Sequence, residues 1–332
     1  MSFLNETNKR RMANLKNIKS KILSYKKTGT VTHAMEAVSA VKMRKGQGRA
    51  LSGRAYAAAA LAVLERLSST ADLGRHPLMQ PSRFVPVEPS DGPRGTLGQG
   101  KICTIVVTSD KGLAGSLNSG VIRKVESELA KMNVPEESLA LIALGRRGGD
   151  YFAKRGYDVR AKHENMSDDV SEEQLRAITD EVLQWHAAGE IANVFVVYQN
   201  FISTFEQEPT IRQIVPILPQ KMKEIVDGIR PARGKYAPQS EEKLTAPAVY
   251  TIEPDADSVL AILLPKLLNI AVFHALLEAK ASEHSARMVA MKSATDKAKE
   301  MAHNLTRTFN KVRQAAITRE VSEITSGIEA MK

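Results

Sequence analysis

ALLEAKASEHSARMVAMKSATDKAKEM, residues 275–301, contains neither glycine nor proline, and its apolar and small side chains return every three and four positions. Leu277, Ala281, His284, Met288, Met291, Thr295 and Ala298 mark one stripe. The same count extends back through Leu263, Leu267, Ile270 and His274, and forward through Ala302, Leu305, Phe309, Val312 and Ala316. A repeat of seven sustained over that length specifies a helix with a coiled-coil seam and left-handed supercoil. Pro265 suits a first helical turn, and the next glycine is Gly327. Roughly 60 unbroken residues at about 1.5 Å each predict a helix of about 90 Å. Ala, Thr and His alternate with Met along the stripe, so helices can approach closely but bury little apolar area. Such a seam is expected to be modestly stable alone and to need a surrounding partner. Its methionines read as core filling rather than as metal ligands.

The other end of the chain offers a mate. Leu15, Ile18, Ile22 and Tyr25 share a face, followed by Val31, Met35 and Val38 after a slip of phase near Gly29. The helical pattern continues through KMRKGQGRA and AYAAAALAVLERL to about residue 68. The two ends are therefore expected to wrap around each other as a long antiparallel coiled coil. Between them the period changes. KICTIVVTS, SLNSGVIRKVESELAKM, LALIALG, RRGGDYFAKRG, YDVRAKH, SEEQLRAITDEVLQWHAAG, NVFVVYQNF and TIRQIVPIL alternate strand-like with helix-like segments. That order predicts a central Rossmann-like, doubly wound α/β domain over 101–220. The expected divisions are an N-terminal helix over 1–68, a Pro/Gly-rich loop over 69–100, the α/β domain, a second loop over 221–254 and the C-terminal helix over 255–332. Residues 74–100 alone hold five Pro and five Gly, as an exposed connection would.

SDKGLAGSLN, residues 109–118, lies where many nucleotide-binding proteins place a phosphate loop. Gly112 and Gly115 are three apart, and no Lys-Ser/Thr follows as a P-loop requires. A tight strand-to-helix turn, with Ser116 or Asn118 capping the helix, fits better. Ser109-Asp110 has no identifiable His partner for nucleophilic catalysis. His163-Glu164 and Glu283-His284 are adjacent pairs without metal-ligand spacing, so no catalytic residue, cofactor or metal is expected. Trp185 reads as packing on the sheet.

Charge is uneven. Residues 1–50 carry twelve Lys and Arg against Glu6 and Glu36, an excess that equals the net charge of +10 for all 332 residues. A basic end suits an acidic protein surface, anionic lipid or nucleic acid, and equally a solvated helix face. Cys103 is the sole cysteine, so internal disulfides are excluded and a reducing compartment fits. No apolar run is read as long enough to span a bilayer, and the first residues show no secretory pattern.

ALLEAKASEHSARMVAMKSATDKAKEM together with RTFNKVRQAAITREVSEI (307–324) resembles the C-terminal signature of the gamma subunit of F-type, proton-translocating ATP synthase. ANLKNIKSKI, THAMEAVSAVKMRKGQ, SDKGLAGSLN, YQNFISTFEQEPTIRQIVPI and YTIEPDADSVLAILLP resemble further segments of that family, in order, over nearly the whole chain. The segments 74–100 and 228–248 depart from it as insertions. The resemblance implies a non-catalytic central-stalk rotor that transmits torque between a proton-driven c-ring and a ring of alternating alpha and beta subunits, coupling proton transport to ATP synthesis. It implies that Arg313, Gln314 and Thr318 engage loops of the catalytic beta subunit, that Lys42, Arg44 and Lys45 face an acidic lever of that subunit, and that Met35 lies in the same bearing region. It places Tyr250 in a foot meeting the epsilon-type stalk subunit and the c-ring, on the cytoplasmic face of a bacterial inner membrane. With Cys103 alone, the paired-cysteine switch of chloroplast members is expected to be missing. Two other classes remain open: a nucleotide-dependent enzyme, and a basic coiled-coil nucleic-acid-binding protein.

Overall fold

A computed structural model of the chain describes residues 2–52, 54–70, 76–80, 100–132, 135–228, 253 and 255–329. Tyr250 and most of the two Pro/Gly-rich segments lie outside these. The chain divides into two compact units, residues 1–38 with 288–332, and residues 39–287. Helix α1 (Ser2–Ser52) and helix α7 (Ala256–Glu329) contribute residues to both. Residues 256–287 of α7 belong with the second of these units.

In the first unit α1 and α7 pair antiparallel. The hydroxyls of Thr32 and Thr295 are hydrogen-bonded at 2.6 Å, and three residues earlier a methyl placed on Gly29 would meet Ala298 at 3.6 Å. On α7 the buried or half-buried positions include Met291, Thr295, Ala298, Ala302, Leu305, Phe309, Val312 and Ala316, the stripe that the period predicts. On α1 the outcome differs. Leu15, Ile18 and Ile22 are half-buried, but the seam continues without a slip through Gly29 and Thr32, while Val31 and Val38 are more than half exposed. The seam follows spacing rather than hydrophobicity, because a residue as small as Gly29 is what lets the α7 backbone come close.

The second unit is built on a five-stranded sheet in the order β3-β2-β1-β4-β5. The strands are β1 (Lys101–Val107), β2 (Leu139–Leu144), β3 (Val159–His163), β4 (Ile191–Phe201) and β5 (Gln207–Val215). The first four pair in parallel, and β5 returns antiparallel along β4. β1 shows why the strands read as near-continuous apolar runs. Cys103, Ile105 and Val107 join one buried cluster while Ile102 and Val106 join another, so both faces are covered. Helices α3 (Leu117–Lys131) and α4 (Arg146–Lys154) cover one face. Helix α5 (Glu172–Ala187), helix α2 (Arg54–Thr70), helix α6 (Pro219–Gly228) and the first part of α7 contribute to the other cluster. α5 starts at a capping box in which Ser171 and Gln174 bond each other's backbone N–H.

Pro265 is not at the start of α7 but inside it. The start is set by Asp255, whose carboxylate accepts from Ser258 N–H at 2.7 Å and from the Ser258 hydroxyl. α7 also contains an 18-residue window of mean hydropathy 2.0, long and apolar enough by length and composition to cross a membrane, which corrects the expectation that no such run exists. More than half of that window is buried inside the protein. Leu260, Leu264, Leu267, Leu268 and Val272 are core residues, so this stretch reads as a core helix.

Candidate functional site

The turn after β1 shows what holds the place of a phosphate loop. Asn118 accepts from Ser109 N–H at 2.9 Å and donates to the Ser109 hydroxyl at 2.8 Å. That hydroxyl in turn donates to the Lys111 carbonyl. Asn118 thus ties the turn shut, and Ser116, which stands at the cap position, makes no side-chain cap bond. Gly115 has φ +59, the left-handed conformation that glycine adopts at least expense.

An anion at such a place needs unspent N–H groups at a helix start, and α4 has spent its own. Arg146 N–H donates to the Asp110 carboxylate at 3.0 Å, and Gly148 N–H to the Thr108 hydroxyl at 2.9 Å. Arg147 N–H donates to the Ser109 carbonyl. Asp110 therefore caps the start of α4, a role that its neighbours in sequence do not signal. The approach is close. Gly145 has φ +100, and a methyl there would lie 2.0 Å from the Thr108 carbonyl oxygen. The hollow beside the turn, bordered by Ser109, Leu117, Gly145 and Glu283, is ≈ 10 Å³, room for about one water and far below a nucleotide.

Cys103, His163 and Trp185 are each buried or engaged. Cys103 is fully buried, and burial pushes its thiol up to about 12. His163 reaches Glu181 at 3.4 Å. No group of three or more His, Cys, Asp or Glu is placed to hold a metal among the described residues. Trp185 packs against the core, with the Arg160 guanidinium 5.2 Å from its ring centre.

The basic patch on α1 is partly spent as well. Within the second unit Lys42 pairs with Asp168 at 2.7 Å, and His284 Nε2 lies 2.9 Å from the other oxygen of the same carboxylate. Arg49 donates to the Asp168 carbonyl and pairs with Asp169. Lys280 donates to the Met166 carbonyl. Burial works against the Asp168 charge, but the hydrogen bonds from Lys42 and His284 outweigh it and hold the carboxyl down to about 2. The loop 166–169 is thereby strapped to both long helices. Arg44 and Lys45 remain exposed, and Met35 is half-buried. Near the end of α7, Arg313, Gln314 and Thr318 are exposed, with Gln314 and Thr318 one turn apart. Ile317, Val321, Ile324 and Ile328 are more than half exposed in the same stretch.

A family model described as ATP synthase matches residues 14–331. The chain is 35% identical over 321 residues to the ATP synthase gamma chain of Pelotomaculum thermopropionicum, covering 97% of this chain and 100% of that one. It is 36% identical over 321 residues to the gamma chain of Geotalea daltonii, with the same coverage. Its fold is similar to a chain of the Euglena gracilis mitochondrial ATP synthase, with a TM-score of 0.59, 16% identity and coverage of 96% and 95% of the two chains. A chain from the central stalk and c-ring structure of the Tetrahymena thermophila mitochondrial enzyme gives a TM-score of 0.53 at 21% identity, covering 80% and 99%.

Proposed function

The chain belongs to the ATP synthase gamma-chain family, and on that premise we propose that it is the rotor shaft of the central stalk, carrying torque between a membrane c-ring and a catalytic ring of alpha and beta subunits. The observation that carries this reading is the antiparallel pairing of the chain's two ends through Gly29, Thr32, Thr295 and Ala298. That pairing buries small residues inside and leaves Leu23, Val31, Val38, Ile317, Val321, Ile324 and Ile328 facing outward. Outward apolar side chains on a thin helix pair suit enclosure by other subunits.

A ring responds to a shaft only where the shaft touches its members unequally. Arg313, Gln314 and Thr318 supply oriented donors and acceptors on one stretch of α7, suited to latching one beta subunit at a time. Arg44 and Lys45 supply exposed positive charge to an acidic lever of that subunit, with Met35 in the same bearing region. Lys42 contributes instead by bracing loop 166–169. Tyr250 is assigned to the foot that meets the epsilon-type subunit and the c-ring. The chain acts without catalysis, cofactor or metal of its own, on the cytoplasmic face of a bacterial inner membrane. The nucleotide-enzyme reading loses support from Asp110 and the small hollow. The nucleic-acid reading loses support because the helix pair comes from one chain and Lys42 and Arg49 are engaged within it.

The test is assembly. The purified chain is expected to hydrolyse no ATP and to co-purify with an alpha-beta ring lacking its own gamma subunit. Failure to enter that ring would refute the shaft reading.

A further inference from the structure

A carboxyl group that this reading does not use lies between α7 and the sheet. Glu278 is 7% exposed. Tyr198 of β4 acts on its carboxyl, and Arg212 of β5 donates to the Tyr198 hydroxyl at 3.0 Å. The Glu278 Oε2 atom makes no hydrogen bond. Neither does Oδ1 of Asn200, which shares the Tyr198 face of β4, nor Nδ1 of His274, one turn back on α7. α7 is held to the same stretch of β4 by the Ser282 hydroxyl, which donates to the Gln199 carbonyl at 3.0 Å.

An ionised Glu278 would leave Oε2 a buried acceptor without a donor, and would bury a charge while the Arg212 guanidinium is bonded to Tyr198. A carboxylic acid would bring one O–H instead. We propose that Glu278 keeps its proton in the folded chain and that this proton helps fasten α7 to β4, so that the junction weakens as pH rises toward neutrality. The proposal stands independently of the rotor reading. The titratable groups around Glu278 are Tyr198 from β4, Arg212 from β5 and His274 from α7 itself. Burial keeps both Tyr198 and His274 neutral, raising the first and lowering the second to about 4. Burial raises Glu278 to about 7 against the opposing pulls of Tyr198 and Arg212. Because the folded state holds this proton more tightly than the unfolded state, its contribution is complete below the ordinary carboxyl range. That contribution is lost as pH rises toward and through about 7.

The experiment compares unfolding of the full chain and its Glu278→Gln variant from pH 5 to pH 8. The glutamine keeps the shape and a donor but cannot ionise. Relative to the variant, the folding equilibrium constant of the unaltered chain is expected to fall on the order of tenfold to a hundredfold over that range. A constant difference between the two would overturn the proposal. Should the variant fail to fold, hydrogen exchange of the unaltered chain decides. Loss of protection at residues 274–282 as pH rises from 5 to about 7, after correction for intrinsic exchange, supports the proposal, and pH-independent protection overturns it.

Discussion

Single side chains tie together the turn after β1 and the start of α4. Asp110 and Thr108 fill the start of α4, and Gly145 lets the chain pass against Thr108. Gly145→Ala is expected to destabilise by several kcal/mol, since a methyl 2.0 Å from the Thr108 carbonyl oxygen forces backbone displacement. A thermal unfolding midpoint within a degree of the parent would refute that. Asp168→Asn removes the carboxylate that receives Lys42 and His284 and is expected to lower the midpoint by about 2–4 °C at neutral pH. Because the native carboxyl is held down to about 2, its contribution is present above the ordinary Asp value and lost as pH falls toward 2. The gap between parent and variant should therefore shrink below about pH 4, and a gap that widens on acidification would contradict the assignment. Neither role was legible in the sequence. The partners of Asp168 lie 126 and 116 residues away, and Asp110 meets a backbone group 36 residues on.

At the scale of elements, local pattern was informative wherever one period held. All five strands and the intervening helices of the α/β core fall on the segments read as such, and the α7 stripe appears as predicted. The errors have a common cause, which is reliance on bulky apolar residues or on Pro as markers. Val31 and Val38 drew the α1 seam out of phase, while Gly29 and Thr32 carry it. Pro265 suggested a helix start that Asp255 supplies. The antiparallel return of β5 follows from its short connection to β4, residues 202–206, which leaves no room for the crossover that parallel pairing needs. A seam of small residues predicts its own weakness to enlargement. Ala298→Leu, opposite Gly29 at 3.6 Å from an added methyl, is expected to cost about 1–3 kcal/mol through overpacking. An unchanged or raised unfolding midpoint would show that the helices are not so close.

For the whole molecule, the sequence carried the class of fold and the family through long ordered motifs, but not how residues 39–287 gather the first half of α7 into the sheet's core. The function proposed at this scale is transmission. Replacing Arg313 and Gln314 together by Ala is expected to lower coupled turnover while leaving assembly intact, and unchanged turnover would remove them from the latch. The most direct test of the shaft is rotation itself. Cys103 is buried and unreactive, so a cysteine introduced by Lys131→Cys on the exposed end of α3 gives a specific attachment point for a bead. With this chain assembled into an immobilised alpha-beta ring and supplied with ATP, the bead should turn in one direction in step with hydrolysis. Sustained hydrolysis with the bead stationary or moving at random would contradict the account.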